Sequence, residues 1–542
     1  MHIIVVTGGV LSGIGKGISG SSIGALLKAS GYHVFMQKFD GYLNADAGTI
    51  NPYKHGECFV TNDGAETDLD IGHYERYLDT DMNSMSIYTS GKLMQEIMEK
   101  ERQGDYLGND VQIIPHFTNL IKDKVKHGFT VNNADISIVE VGGTVGDMEN
   151  ESIVEAMRQL RHELGHDRVM FVHLTYIPYL LASKELKTKP TQNSVKDLRM
   201  RGIIPDMLIC RADYDIPDDI ISKISYMTGV SQSHVIPAPT VDSIYRIPLD
   251  YADRNVSEQV LSHLGLPIVS PDMTKRQDLY HHISNATQEL RIAMVGKYVG
   301  LEDAYYSLNE GIKVAGFYHD CKVKLVFIEA EELTQENIAS RLDGIHGICV
   351  PGGFGTRGIE GMILAAQYAR EQKIPYLGIC LGSQIMAMEF ARNVLGLVDA
   401  TSAEFDEVST SSHHVIHIME SQKSITHKGG SMRLGAYDCV LDPTSKTQDV
   451  YSRYGGCFVA DNVISERHRH RYEFNNDYRD EFTQAGFLIS GTSPDGNLVE
   501  MVELADHPFM LATQAHPELK SRPTRPHPLF LGFVEKVKKC CV

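Results

Sequence analysis

A cysteine in GICLGSQ (378–384), a histidine and a glutamate in TQAHPEL (513–519) and a lysine in TGGVLSGIGKGI (7–18) have types and spacings that can do chemistry. GICLG has the form G-x-C-x-G between an apolar run and a helical pattern. That is a nucleophile elbow with Cys380 in place of serine. A helix starting after Cys380 directs its N-terminus at the sulfur and favours the thiolate. A buried core cysteine is the competing reading, since free cysteine is commonly buried. Two further stretches favour the elbow. PGGFG (351–355) follows an apolar run and offers backbone N–H groups to an oxyanion. His516 can deprotonate a thiol, and Glu518 can fix its tautomer. Two residues apart on an extended strand, these side chains would face the same side.

TGGVLSGIGKGI holds five glycines and one lysine in twelve residues after an apolar run. Strand, glycine-rich turn and helix is how a backbone cradles phosphate. The Walker spacing is not met, because Gly9 and Gly15 are one residue too far apart and Gly17 follows Lys16. Carboxylates near such a loop would hold Mg²⁺. Candidates are Asp68 and Asp70 in GAETDLDIGHYER, and Glu140, Asp147 and Glu149 in VEVGGTVGDMEN. Solvated acidic turns are the alternative, above all for Asp68. Glu140 resists that reading because it ends the apolar run ISIV, where a carboxylate is costly without a cation. In KTKPTQNSVK (187–196), Lys187 and Lys189 either grip a triphosphate or lie in a solvated loop. ERHRHRYE reads as a solvated helix face, a nucleic-acid patch or a buried Arg471 clamping a carboxylate.

Strand–helix alternation supplies the scaffold. HIIVVTG, YHVFMQKFD, ADISIVEV, DRVMFVHLTYI and PDMLICRAD read as strands, and KGISGSSIGALLKASG and ESIVEAMRQLRHELG as helices. Alternation predicts a parallel, doubly wound sheet with ligands beyond the carboxyl ends of its strands. The glycine loop, Lys38, Glu140 and Arg211 fall there. Residues 265–290 read as a linker with one helix. RIAMVGKY then restarts the alternation, followed by KVKLVFIEA, GIHGICV and IPYLGIC. The predicted domains are therefore 1–265, a linker 266–290 and 291–542. A net charge of −19 argues against nucleic-acid or anionic-membrane binding. No apolar stretch reaches the length of a membrane span. Nine scattered cysteines suit reduced thiols in the cytoplasm.

The ordered set PGG, G-x-C-x-G and HPE resembles class I glutamine amidotransferase domains. The resemblance implies glutamine hydrolysis through a cysteinyl acyl-enzyme, with Cys380 as nucleophile, His516 as base and Glu518 as its partner. It assigns oxyanion donors to the N–H groups of Gly353 and Leu381. Gly382, Ser383, Gln384, Glu404 and Arg471 match positions that hold the substrate glutamine.

From TGGVLSGIGKG to HPLFLGF, through DGAETDLDIGHYER, VQIIPH, GGTVGD, KTKPTQ, VGKY and SMRLGAYDC, the chain resembles the CTP synthase family. The fold implied is α/β, with two doubly wound parallel-sheet domains: a P-loop-like amidoligase and the amidotransferase. The family's own loop has its lysine before glycine. The reaction implied is ATP–Mg²⁺ phosphorylation of O4 of UTP, attack of ammonia at C4 and loss of phosphate to give CTP. By the resemblance, Gly13, Ile14, Gly15, Lys16, Gly17, Ile18, Lys38, Asp70 and Val241 serve ATP, and Asp70 and Glu140 bind Mg²⁺. Ser12, Lys187, Thr188, Lys189, Pro190, Thr191, Gln192 and Lys223 serve UTP. Asp147, Met148 and Glu149 match the region where CTP inhibits. GTP is implied as an activator with Phe354 and Arg357 as contacts. The resemblance also implies a homotetramer and leaves open whether tetramers stack into filaments.

Several positions depart from the family's common pattern: Gly13 in the loop, Gly41, Thr240 near the adenine contacts, Ser383, Ala515, and Cys58 beside an expected ammonia passage past Pro52 and His55. Three rivals stand beside this reading. They are a related glutamine-dependent amidoligase, a bare glutaminase, and a degenerate structural subunit that should have lost Lys16 or Cys380.

Overall fold

Ile3, Ile4, Val5 and Val6 are wholly buried, as expected of a strand covered on both faces. They form the centre of β1 (His2–Gly8) in a computed structural model that describes residues 1–48, 50, 56–406, 408, 410–423, 430–456 and 458–541. Pro52 and His55 lie outside the described residues. By internal packing the chain forms two units: Met1–Asp46 with His73–Tyr280, and Ala47–Gly72 with His281–Val542.

The first unit carries β1, β2 (Val34–Asp40), β3 (Ile87–Thr89), β4 (Ile136–Val141), β5 (Val169–Tyr176), β6 (Met207–Ala212) and β7 (Val235–Pro239). They form one sheet in the order β7-β6-β5-β1-β4-β2-β3. Every neighbouring pair is parallel. β1 sits between β4 and β5, so the order reverses beside it, which opens a crevice at its carboxyl end. The loop after β1 leads into α1 (Lys16–Ala29). Ile153, Met157 and Leu160, three to four residues apart on the helix Glu151–Leu164, are fully buried in the same core as Val5, Val139 and Phe171.

The second unit departs from a purely parallel plan. β8 (Gln288–Gly296), β9 (Cys321–Glu329), β10 (Gly347–Val350), β11 (Tyr376–Ile379) and β17 (Met510–Thr513) pair in parallel. The same sheet continues through β16 (Val499–Leu504), β15 (Phe487–Thr492), β12 (Arg433–Leu441), β14 (Val463–His470) and β13 (Phe458–Ala460), all antiparallel. Short connections between consecutive strands permit antiparallel pairing, whereas parallel pairing needs a crossover. β8 begins at Gln288, inside the stretch read as linker, after a helix at Thr274–Asn285.

ERHRHRYE is neither a helix face nor an exposed patch: Glu466, Arg467, His468 and His470 are buried on β14. Arg467, fully buried, donates to Val60 O at 3.1 Å and to Asn62 Oδ1 at 2.6 Å. Arg469 pairs with Glu66 at 2.8 Å. A buried guanidinium needs such partners to offset desolvation. These bonds fasten the 59–66 hairpin into the second unit.

Candidate active sites

Strand β1 delivers the glycine loop. Val10 (φ 77°), Gly13 (φ 71°) and Gly15 (φ 92°) all take left-handed backbone, which turns the chain back into α1 at little cost only where the residue is glycine. Gly15 is the N-cap, and Lys16 opens the helix with its side chain buried. Lys16 Nζ donates to Gly143 O at 2.7 Å, so the ammonium is held at the loop rather than in solvent. A cavity of about 650 Å³ is lined on one wall by Gly13, Ile14, Gly15 and Ile18 and on another by Thr240 and Val241. Lys38 is paired with Asp40 at 3.0 Å and stands opposite Glu140 in the register of β2 and β4. Glu140 is 3% exposed, and the Tyr74 hydroxyl donates to its Oε2. A buried carboxylate of this kind suits a hard divalent cation. Asp70 lies in the first turn of the helix Leu69–Leu78, and Asp68, expected in a solvated turn, is buried.

Strand β11 delivers Cys380 to the N-cap of α2 (Leu381–Asn393) with φ 52° and ψ −100°. A non-glycine residue there is strained and persists only where its surroundings over-determine it. The two glycines of G-x-C-x-G do so. A Cβ on Gly378 would stand 2.5 Å from Gly382 O, and one on Gly382 would stand 2.1 Å from Val350 O. The Cys380 N–H donates to Thr513 O at 2.7 Å, which ties the elbow to β17. His516 follows β17 but is not on an extended strand. It caps a short turn, Pro517–Leu519. That turn still brings Glu518 Oε1 to 2.7 Å from His516 Nδ1. Burial works against the imidazolium, but the Glu518 carboxylate and the Cys380 sulfur outweigh it and raise the His516 pKa to about 10. Gln514 Nε2 reaches Cys380 Sγ at 3.4 Å.

A cavity of about 500 Å³ is lined by Cys380, His516, Glu518 and Gly353. Phe354, Arg357 and Cys58 line it as well. Glu404 accepts the Gly355 N–H at 2.8 Å; burial pushes its carboxyl up against that bond and Lys297. Gln384 donates to Tyr472 O and Gln514 Oε1, both at 3.2 Å, and so reaches the sulfur through Gln514. Ser383 lines a small recess with Gln384. Arg471 donates to Gln422 Oε1 and to Ser431 Oγ, at 2.7 and 2.9 Å.

Two family models match the chain. The CTP synthase N-terminus matches residues 2–266, and glutamine amidotransferase class-I matches residues 301–536. A CTP synthase of Halalkalibacterium halodurans is 50% identical over 98% of both chains. One of Bacillus subtilis is 49% identical over 98% of this chain and 97% of its own. The chain belongs to the CTP synthase family. It is an enzyme that converts UTP to CTP with ATP as co-substrate and a class I domain for glutamine. Among solved structures, the glutaminase domain of Trypanosoma brucei CTPS with bound acivicin is 38% identical, covering 46% of this chain and 94% of its own, with a TM-score of 0.42.

The remaining positions named from the CTP synthase resemblance belong to the first unit. Thr188 precedes a helix at Lys189–Met200 with Pro190 in its first turn. Thr191 Oγ1 donates to Thr175 Oγ1 at 3.2 Å, and Gln192 Nε2 to Thr188 Oγ1 at 3.0 Å. Lys187 pairs with Glu185. That bond leads in lowering the Glu185 carboxyl, and Lys223 is near enough to contribute. Ser12, Lys189 and Lys223 are exposed, and Gly17 lies buried in α1. Asp147 accepts the Thr144 N–H at 2.9 Å, while Met148 and Glu149 are exposed. Gly41 matters to them, because its Cβ would stand 2.8 Å from Glu149 Cβ.

Sequence reasoning missed several residues. Tyr251, Arg246 and Arg254 line the loop-side cavity. His173, fully buried, bridges Thr7 Oγ1 at 2.8 Å and Ser194 Oγ at 2.7 Å, and burial followed by Lys16 lowers its pKa to about 3. A neutral imidazole thus ties β1, β5 and the Lys189–Met200 helix together behind the loop. No local pattern marks it, since its partners lie far apart in the chain. His166, Asp206 and His263 also converge. However, Arg161 and the Phe171 N–H occupy both Asp206 oxygens at 2.8 and 2.7 Å, which leaves a poor cation site.

Proposed function

We propose that the two cavities divide the synthesis of CTP, one activating UTP and the other releasing ammonia from glutamine. The observation that carries the second half is Cys380 on a strained elbow in one cavity with the His516–Glu518 pair. The thiolate attacks the glutamine amide carbon, and His516 gives its proton to the leaving ammonia. The Gly353 and Leu381 N–H groups hold the oxyanion. Water then releases glutamate from the acyl-enzyme. Gly382, Ser383, Gln384, Glu404 and Arg471 orient the glutamine, either directly or through neighbours such as Gln514.

In the first unit, ATP lies with its phosphates on Gly13, Ile14, Gly15, Lys16, Gly17 and Ile18 and its base towards Val241. Lys38 adds charge, and Glu140 would hold Mg²⁺, which would neutralise phosphate charge; Asp70, in the segment Ala47–Gly72, is the second carboxylate the resemblance implies. The burial of the Glu140 carboxylate supports a cation there. UTP is gripped by Ser12, Lys187, Thr188, Lys189, Pro190, Thr191, Gln192 and Lys223. Its O4 takes the γ-phosphoryl group, ammonia attacks C4, and O4 departs with phosphate. Phosphorylation turns a poor leaving oxygen into a good one. CTP inhibits at an overlapping site that includes Asp147, Met148 and Glu149. GTP activates glutamine hydrolysis at Phe354 and Arg357, and the working form is a cytoplasmic homotetramer.

The test is to incubate the protein with UTP, ATP, Mg²⁺ and glutamine and to follow CTP, with and without GTP. Glutamate released without CTP would reduce the protein to a glutaminase.

A further inference from the structure

Lys297 has no role in the scheme above, yet it is 1% exposed and lies in the glutamine-handling unit. We infer that Lys297 is a positioning residue of the glutaminase centre, clamping the Phe354–Gly355 peptide against Glu404 so that the neighbouring Gly353 N–H faces the oxyanion. This rests on the glutaminase reading of the Cys380 cavity.

The geometry is specific. Lys297 Nζ donates to Phe354 O at 3.1 Å and also to Gly355 O. On the other side, the Gly355 N–H donates to Glu404 Oε1 at 2.8 Å. Phe354 C=O and Gly355 N–H belong to one planar trans peptide, whose oxygen and hydrogen point in opposite directions. That peptide is therefore held at both ends, by an ammonium and by a carboxylate. A peptide pinned in this way cannot flip, so the turn that leaves Gly353 is anchored one residue downstream, which narrows the directions open to the Gly353 N–H. The lysine stem runs beneath that residue: Lys297 Cδ is 3.4 Å from where a Gly353 Cβ would stand, beside Leu381 Cδ2 at 3.3 Å. Stem, turn and elbow helix are therefore in close van der Waals contact around Gly353.

Lys297 is itself anchored. Arg357 donates to its carbonyl oxygen and pairs with Glu329 and Glu331 at 3.1 and 3.2 Å. The ammonium lies 5.6 Å from the centroid of Phe405, the residue after Glu404. Two carbonyls and a half-buried carboxylate are the surroundings in which an ammonium is stabilised as a charge. Burial nonetheless pulls the Lys297 pKa down to about 8; Glu404 and Glu331 oppose that pull and Arg357 adds to it. The charge on Lys297 in turn opposes the upward shift of the Glu404 carboxyl. An ionised Glu404 is what a substrate ammonium needs.

The experiment measures glutamine hydrolysis by the full chain against pH, for the wild type, Lys297→Met and Lys297→Arg, with thermal unfolding of each. Lys297→Met should unfold as a single folded species. It should lose about ten- to a hundredfold in kcat, the scale of a misplaced oxyanion donor, and should show a raised KM for glutamine. The wild type should lose activity as pH rises through about 8. Lys297→Arg should recover most of kcat and move that loss to higher pH. A folded Lys297→Met with wild-type kcat, KM and pH profile overturns the inference. So does a variant that is less stable but equally active while folded. Should the methionine variant not fold, an alkaline limb left in place by arginine overturns it. If Cys380→Ala still hydrolyses glutamine, the glutaminase reading itself fails, a result separate from any of these.

Discussion

Glu518 Oε1 lies 2.7 Å from His516 Nδ1 although no strand carries the two residues. The contact comes from a tight turn at Pro517–Leu519, which brings the second residue back onto the first. Both line the cavity into which Cys380 opens. The pair fixes which imidazole nitrogen is left for the sulfur.

Glu518→Gln should lower the His516 pKa, because the carboxylate is a main force raising it against burial. Glutamine hydrolysis should fall by about 10²–10⁴-fold, the range for losing the partner of a catalytic histidine. Stability should also change with pH. A group whose pKa rises from 6.5 to about 10 on folding stabilises fully below 6.5 and loses that contribution as pH climbs to about 10. Unfolding midpoints measured over that window should converge between wild type and variant at the alkaline end.

Cys380→Ala should abolish glutamine hydrolysis and glutamine-dependent CTP synthesis but leave synthesis from ammonium chloride at raised pH. The sulfur acts only on the glutamine amide, and distant independent sites are usually additive. Loss of both activities in a folded protein would show that the two centres are not separable.

Lys16→Ala should remove CTP formation with either nitrogen source. A positioned cation at a transferring phosphoryl group is worth about a hundredfold or more. Lys16 is already held at the loop by Gly143 O. Near-normal turnover with ammonia would take the loop out of the chemistry.

Gly382→Ala should damage both folding and the elbow. Its Cβ would sit 2.1 Å from Val350 O, which forces α2 away from β10 at a cost of about 1–3 kcal/mol. Calorimetry should show a lower unfolding midpoint, and glutamine hydrolysis should drop further than stability accounts for.

Glu149→Ala should weaken CTP inhibition more than UTP binding. UTP and CTP share the same phosphate groups, so residues such as Lys187 should serve both, while an exposed carboxylate beside Gly41 serves only the inhibitor. Titration with each nucleotide would decide, and equal losses would count against overlapping sites.

The glycine loop, the elbow and the alternating strands could be read from residues 7–18, 378–384 and the apolar runs because their causes are local. Gly13 and Gly15 take left-handed backbone that glycine adopts without steric cost. Ile3 to Val6 are apolar without alternation, which marks a strand covered on both faces. The antiparallel half of the second sheet, the attachment of Ala47–Gly72 to the second unit and the buried state of Arg467 were decided by tertiary structure. So were the Thr7–His173–Ser194 bridge and the Lys297 clamp on Phe354 and Gly355. An arginine or lysine in a sequence carries its charge but not its partner. Whether it is solvated or buried depends on which distant carbonyl or carboxylate the fold brings within hydrogen-bonding reach.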